Sequence, residues 1–210
     1  MSDDQTDDID IPSFHSAFHP EPKLKPAERQ RRVGILCRSF MRNLAFHRAG
    51  MQGEVQFNLF ARTHPQGAFW REAHGNFIDI CVLDWCKLFA DRKGKHHWCR
   101  VVDEPDRFKV NLCTTLGVTV ADFDTLLTQV RRYRDSFVAH LDNERMMRLP
   151  ALELAKRSTV FLYERLPQEA RRYEDWESLL TTAEQLDQGF TQAFQEAQSV
   201  YAEALARRLV

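Results

Sequence analysis

From Pro26 onward, apolar residues recur at steps of three and four along most of the chain, and no stretch alternates over the length of a strand. Within Ala27–Arg48 the stripe is Val33, Leu36, Cys37, Phe40, Leu44 and Phe46/His47, with Gly50 placed to end a helix. Residues 51–66 carry no clear period and suit a short helix and a turn. From Gly67 to about Asp91, Trp70, Ala73, Phe77, Cys81, Trp85 and Leu88/Phe89 make a broad apolar face. That breadth predicts a central helix packed on more than one side. After the loop DRKGKHH, a helix opens near Asp103–Pro105, where proline suits the first turn, and runs to Leu116 with Gly117 as its stop. Thr119 and Asp122 have the spacing of a capping box, with Asp in place of Glu, and open a helix over Val120–Asp142. Pro150 opens another over Ala151–Leu166, and Pro167 closes it. In the tail, about 168–208, Leu179, Ala183, Leu186, Phe190, Ala193, Ala197, Tyr201 and Leu205 form one narrow seam. This predicts a long helix lying along a bundle or a second subunit. Gly189 inside it costs roughly 1 kcal/mol against alanine, so packing is expected to hold it. The predicted fold is all-α.

Composition changes the picture at the two ends of the charge scale. The chain has 210 residues, 43% of them hydrophobic, enough for one domain with a core. Residues 1–26 hold four of the eight prolines and six acids against two lysines. They read as a disordered acidic lead in which Phe14 and Phe18 are the only candidate anchors. The lead is net −4, which leaves residues 27–210, read as a single helical domain, at +3. So mild an excess excludes a protein that holds nucleic acid by bulk charge; any such contact is expected to be local or assembled from subunits. A mean hydropathy of −0.48 and the lack of a long apolar run predict no membrane-spanning helix. The acidic start, unlike a secretory signal, and five scattered cysteines predict a reducing, cytoplasmic setting.

The segment richest in chemistry is VADFDTLLTQVRRYRDSFVAHLD, residues 120–142. In heptad rows Phe123, Val130 and Phe137 alternate with Leu126, Tyr133 and His140, and the next row holds Leu127, Arg134 and Leu141. His140 thus takes an apolar seam position and Arg134 lies at the stripe's edge. An arginine and a histidine with four to six residues between them is a nuclease spacing, but it occurs here at Arg42–His47, Arg92–His97 and Arg134–His140, as often as chance supplies. A polar residue after the arginine keeps Arg42–His47 (Asn43) and Arg134–His140 (Asp135) and drops Arg92–His97 (Lys93).

The string YRDSFVAHLDNE resembles the motif helix of HEPN proteins, notably the branch found in bacterial abortive-infection systems. The resemblance extends over about residues 70–166: a helix ending in LDWCKLF, a loop with HHW, the RDSFVAHLD helix and one helix more. It implies a bundle of four to five helices, here with the long C-terminal helix added, that forms a homodimer whose paired motifs face an RNA cleft. It implies metal-independent endoribonuclease activity leaving 2′,3′-cyclic phosphate ends, or RNA binding alone, in a phage-defence or toxin–antitoxin setting with a cognate antitoxin or regulatory protein. No cofactor is implied. Carried over to this chain, Arg134 and His140 are the catalytic pair and Asp135 their polar neighbour. Some relatives have a tyrosine two residues after the histidine, a site of regulatory nucleotide transfer; here the residue is Asp142. The residue types suit the chemistry, since histidine titrates near neutrality and arginine forks onto phosphate oxygens. Six residues at about 100° each set Arg134 and His140 roughly 120° apart on an ideal helix, which favours a site composed across a dimer. The competing reading is a non-catalytic helical interaction or regulatory protein in which Arg134 and His140 are structural.

Other constellations are weaker. Cys81, Cys86, His96, His97 and Cys99 are zinc-ligand types, but no CxxC pair exists, and Cys81 and Cys86 diverge on a helix. The histidine pair reads as part of a basic surface loop with Trp98 packing inward. Cys–His catalysis has no signature in the sequence, and there is no Gly-rich phosphate loop. His74 reads as a helix-surface residue, with a cleft position as the alternative.

Overall fold

The computed structural model describes residues 24–139, 152–171 and 182–207. Helix α1 spans Pro26–Gly50, α2 Gly67–Trp85, α3 Pro105–Leu116, α4 Val120–Tyr133, α5 Leu152–Ala170 and α6 Ala183–Ala206. Single π turns follow at Val55–Leu59, Cys86–Ala90 and Arg134–Ala139, and a 3₁₀ turn at Trp98–Arg100. The described residues are helical and contain no strand, in accord with the periodicity. None of their helices is long and apolar enough to cross a membrane.

Local sequence chemistry sets several boundaries. Pro26 occupies the first turn of α1 and Pro105 that of α3, where a missing N–H costs nothing. Gly117 ends α3 at φ 69°, with Val118 N–H bonded to Cys113 O at 3.0 Å and Gly117 N–H to Thr114 O at 3.1 Å. That left-handed cap strains any residue with a Cβ. Thr119 and Asp122 form the expected reciprocal box, at 3.0 and 3.1 Å. A second box, Thr182 with Gln185, starts α6. The tail helix therefore begins at residue 183 and not near 168, where the backbone still belongs to α5. Pro167 does not close α5, which runs to Ala170. Proline deletes one backbone donor, and near a C-terminus the helix carries that loss for one further turn.

The core is one large cluster of aromatic and aliphatic side chains drawn from all six helices. At its centre Trp85 is fully buried, stacked on Phe89 at 5.1 Å and donating its indole N–H to Ser158 Oγ at 3.0 Å. The hydroxyl in turn donates to Ala155 O at 2.8 Å, so no polar atom of the pair is left dry. The helix enclosed on most sides is α1 rather than α2: it packs along α2, α5 and α6. Small residues, Gly34, Ala45 and Ala49, bury parts of its circumference that the larger stripe does not cover. Surface ion pairs bind α5 to its neighbours, Arg48–Glu153 at 2.7 Å and Lys156–Asp187 at 2.9 Å. A smaller cluster caps the far end of α1, where Leu59, Tyr201 and Ala204 meet Ala49 and the rings of Phe60 and Trp70. Gly189 does not have the packing role expected of it, since a Cβ there would meet nothing within 4 Å.

Candidate basic site at the ends of α2 and α4

Two helices change register where the candidate site begins. Helix α2 passes into the π turn Cys86–Ala90, closed by Asp91 N–H to Cys86 O at 2.8 Å, and α4 passes into the π turn Arg134–Ala139. Single π turns inside longer helices widen the backbone and re-aim the side chains that follow. The continuous α-helices expected over 67–91 and 120–142 are therefore interrupted at the residues of interest. Spacing arithmetic at 100° per residue fails beyond Tyr133.

The two ends are tied by side chains of α4 and its π turn. Arg131 donates to the carbonyl of Ala90 at 2.6 Å. Tyr133 donates to Asp79 Oδ1 at 3.2 Å; burial pushes the Asp79 carboxyl up, with Glu72 adding to the shift, and burial likewise pushes the Tyr133 phenol up. Arg134 donates through Nη1 to Asp91 and through Nε to Asp135 Oδ1, the latter at 2.8 Å. Its side chain is only 20% exposed. Burial alone would lower the Arg134 pKa, but the hydrogen bonds to Asp135 and Asp91 outweigh it, and the guanidinium is held charged. Of the three residues expected to act together, Arg134 and Asp135 are thus in contact. His140 lies outside the described residues, as does Asp142.

Exposed basic residues flank this tie in the sequence. Asp91 is the first residue of the loop that carries Arg92, Lys93 and Lys95, and all three are exposed, as are Arg131 and Arg132 on α4. The partner carboxylates Asp91 and Asp79 were not expected from the sequence. The only signal for Asp79 is that a tyrosine on an apolar row needs an acceptor for its hydroxyl. For Asp91 there is none beyond its place at the end of an apolar run.

The other candidates are placed as follows. Arg42 is exposed, whereas His47 is buried and stacked on His74 at 4.3 Å, so the second arginine–histidine match does not converge on one surface. His74 is not a surface residue of α2: its ring also meets Phe60 at 4.8 Å, and its Nδ1 has no partner. Burial lowers both imidazoles, His74 to about 4 with the neighbouring His47 contributing. Cys81 and Cys86 are buried, and no group of three or more metal-ligating side chains occurs among the described residues. Trp98 packs inward against Phe108, at 4.8 Å. His97, expected on the surface with His96, is buried instead because its Nε2 meets the carbonyl of Phe89 at 2.9 Å. Set against protein-family models, curated proteins and solved structures, the chain matches none of them.

Proposed function

We propose that this protein engages RNA in the manner of the HEPN proteins that its motif helix resembles, and cleaves it through Arg134 and His140 with Asp135 beside the arginine. The observation that carries this reading is the pinning of a cationic loop to the motif helix. Arg131 and Arg134 hold Ala90 and Asp91, from which the chain runs directly into the exposed Arg92, Lys93 and Lys95. A local patch of this kind reconciles RNA binding with a near-neutral chain. Arg134 already presents its fork to two carboxylates, and the same planar donors fit the oxygens of a phosphodiester. In this mechanism His140 exchanges protons with the 2′-hydroxyl and the leaving oxygen, while Arg134 balances the negative charge developing on the non-bridging phosphate oxygens. The RNA cleft is composed from two copies of the chain, and a cognate antitoxin would cover it. A homodimer in the cytoplasm is part of the same proposal.

The test is incubation of the purified chain with mixed RNA in chelator, with end-group analysis for 2′,3′-cyclic phosphate. Asp91→Ala is the informative variant. It unties the basic loop from Arg134, so RNA affinity falls by several-fold. One observation favours a second reading, a non-catalytic interaction protein: Nε and Nη1 of Arg134 are both taken by carboxylates, one of which, Asp91, closes the other π turn. Under that reading Asp91→Ala lowers the melting temperature and leaves RNA binding unchanged.

A further inference from the structure

The fold treats the five cysteines unequally. Cys37, Cys81, Cys86 and Cys113 are buried, and burial pushes each thiol up, Cys86 to about 12. Cys99 is half-buried in the turn between α2 and α3, two residues after the buried His97. The protonation of His97 follows from its partners. A carbonyl can only accept, so the contact of Nε2 with Phe89 O at 2.9 Å places the ring proton on Nε2. Nδ1 of the neutral ring is then an acceptor, and it faces Cys99, with Sγ at 3.0 Å and the backbone N–H at 3.3 Å. Burial lowers the His97 pKa, with Arg92 and Arg100 adding to the shift and Asp91 opposing it, so the ring is neutral at pH 7. A thiol, a base and a group that orients the base are thus in line. Arg92 and Arg100 also act on His97, against Asp91. Partly exposed thiols in electropositive settings are the ones that react, while buried thiols are inert.

We propose that Cys99 is a reactive thiol, activated by His97 as base, that exchanges with anionic low-molecular-weight disulfides of the glutathione type. His97 Nδ1 takes the Sγ proton as Sγ attacks one sulfur of the disulfide. The new Sγ–S bond forms, the old S–S bond breaks, and the electron pair leaves on the second sulfur, which receives the proton from His97. Cys99 is oxidised to a mixed disulfide and one thiol is released in reduced form. The other four cysteines are buried, so the mixed disulfide is the end product and added thiol reverses it.

Glutathione disulfide supplies the test, applied at pH 7 to the native chain and to the same chain unfolded in urea, with peptide mass mapping of the rate at each cysteine. Cys99 is expected to react at least about tenfold faster in the native chain than in the unfolded one. The other four are expected to react only on unfolding. A native rate at Cys99 equal to or below the unfolded rate overturns the proposal, and this comparison needs no variant. His97→Gln keeps a side-chain amide able to donate to Phe89 O but cannot take the proton. It is expected to lose the native advantage, and full retention of the rate in a folded His97→Gln chain overturns the role of His97.

Discussion

Two regions of this molecule each match the arginine–histidine pattern, five residues apart in one and six in the other, and share almost nothing else. At the α4 end, Arg134 sits in a web of charge, bonded to Asp91 and Asp135 beside an exposed basic loop. At the far end of α1, His47 lies in a dry aromatic cluster, face to face with His74, and neither Nδ1 has a partner. Arg42, five residues earlier, points away to an exposed surface. The first environment keeps a cation charged beside an exposed basic loop; the second keeps two imidazoles neutral. Spacing along a helix therefore carries no chemistry until burial and neighbours are known.

The sharpest way to break this contrast is to exchange which pair is removed. If the α4 end is the working site, Arg134→Ala and His140→Ala each lower RNA cleavage by about a hundred- to ten-thousand-fold, the usual scale of general acid–base and phosphate-charge contributions. Arg42→Ala leaves cleavage within about twofold and the fold intact, because its side chain is solvent-exposed. Cleavage assays in chelator beside melting curves separate these outcomes. Loss of cleavage in Arg42→Ala with retention in Arg134→Ala would move the site to α1.

Gly50 probes how tightly the dry end is packed. A Cβ at this position would stand 2.5 Å from His74 Nδ1 and 3.0 Å from Tyr201 Oη. Both rings are packed against others, His74 stacked on His47 and tilted against Phe60, Tyr201 tilted against Trp70, so neither can simply swing aside. Gly50→Ala is expected to cost about 1–3 kcal/mol as overpacking, partly offset by the better helix propensity of alanine. Chemical denaturation measures it, and RNA cleavage per folded molecule stays unchanged.

Acid separates the two regions without a mutation. His47 and His74 are held neutral, the latter with its pKa near 4, whereas in the unfolded chain each binds a proton near 6.5. The unfolded state therefore takes up more protons as pH falls. The stability owed to the pair is complete above pH 6.5, declines as pH drops toward 4, and is lost below that. One pKa unit is about 1.4 kcal/mol, and solvent screening of the partly exposed His74 reduces the total to about 1–2 kcal/mol. His74→Phe retains a ring against Phe60 and His47, and is expected to flatten the slope of stability against pH between 6.5 and 4. An unchanged slope would place the acid sensitivity elsewhere.

Legibility in the sequence followed the range of the forces involved. Helices α1, α3 and α4 began or ended where proline, Gly117 and the Thr119–Asp122 box said they would, because those signals act within one turn. The Thr182–Gln185 box is equally local, and it marks the start of α6 more sharply than the long apolar seam does. The π turns were not legible: apolar residues at three- and four-residue steps look the same whether a helix keeps or widens its register at its end. Nor were the partners of Arg134, His47 and His97, which are supplied by contacts from distant parts of the chain. Sequence located the arginine and its neighbour Asp135; only tertiary contact supplied Asp91, Asp79 and the histidine stack.

The smallest expected effect concerns a second helical glycine, and it tests whether tight packing is confined to the dry end. Gly189 lies in α6, the helix that also delivers Tyr201, yet a Cβ there would meet nothing within 4 Å. Its backbone is helical, so alanine fits without strain, and the unfolded chain loses conformational freedom that glycine would have kept. Gly189→Ala is therefore expected to raise stability by about 0.5–1 kcal/mol, opposite in sign to Gly50→Ala. Paired denaturation curves of the two variants read the difference directly. If Gly189→Ala destabilises, α6 sits closer to a neighbour than the described residues place it, and the tight packing is not peculiar to the end that holds His47 and His74.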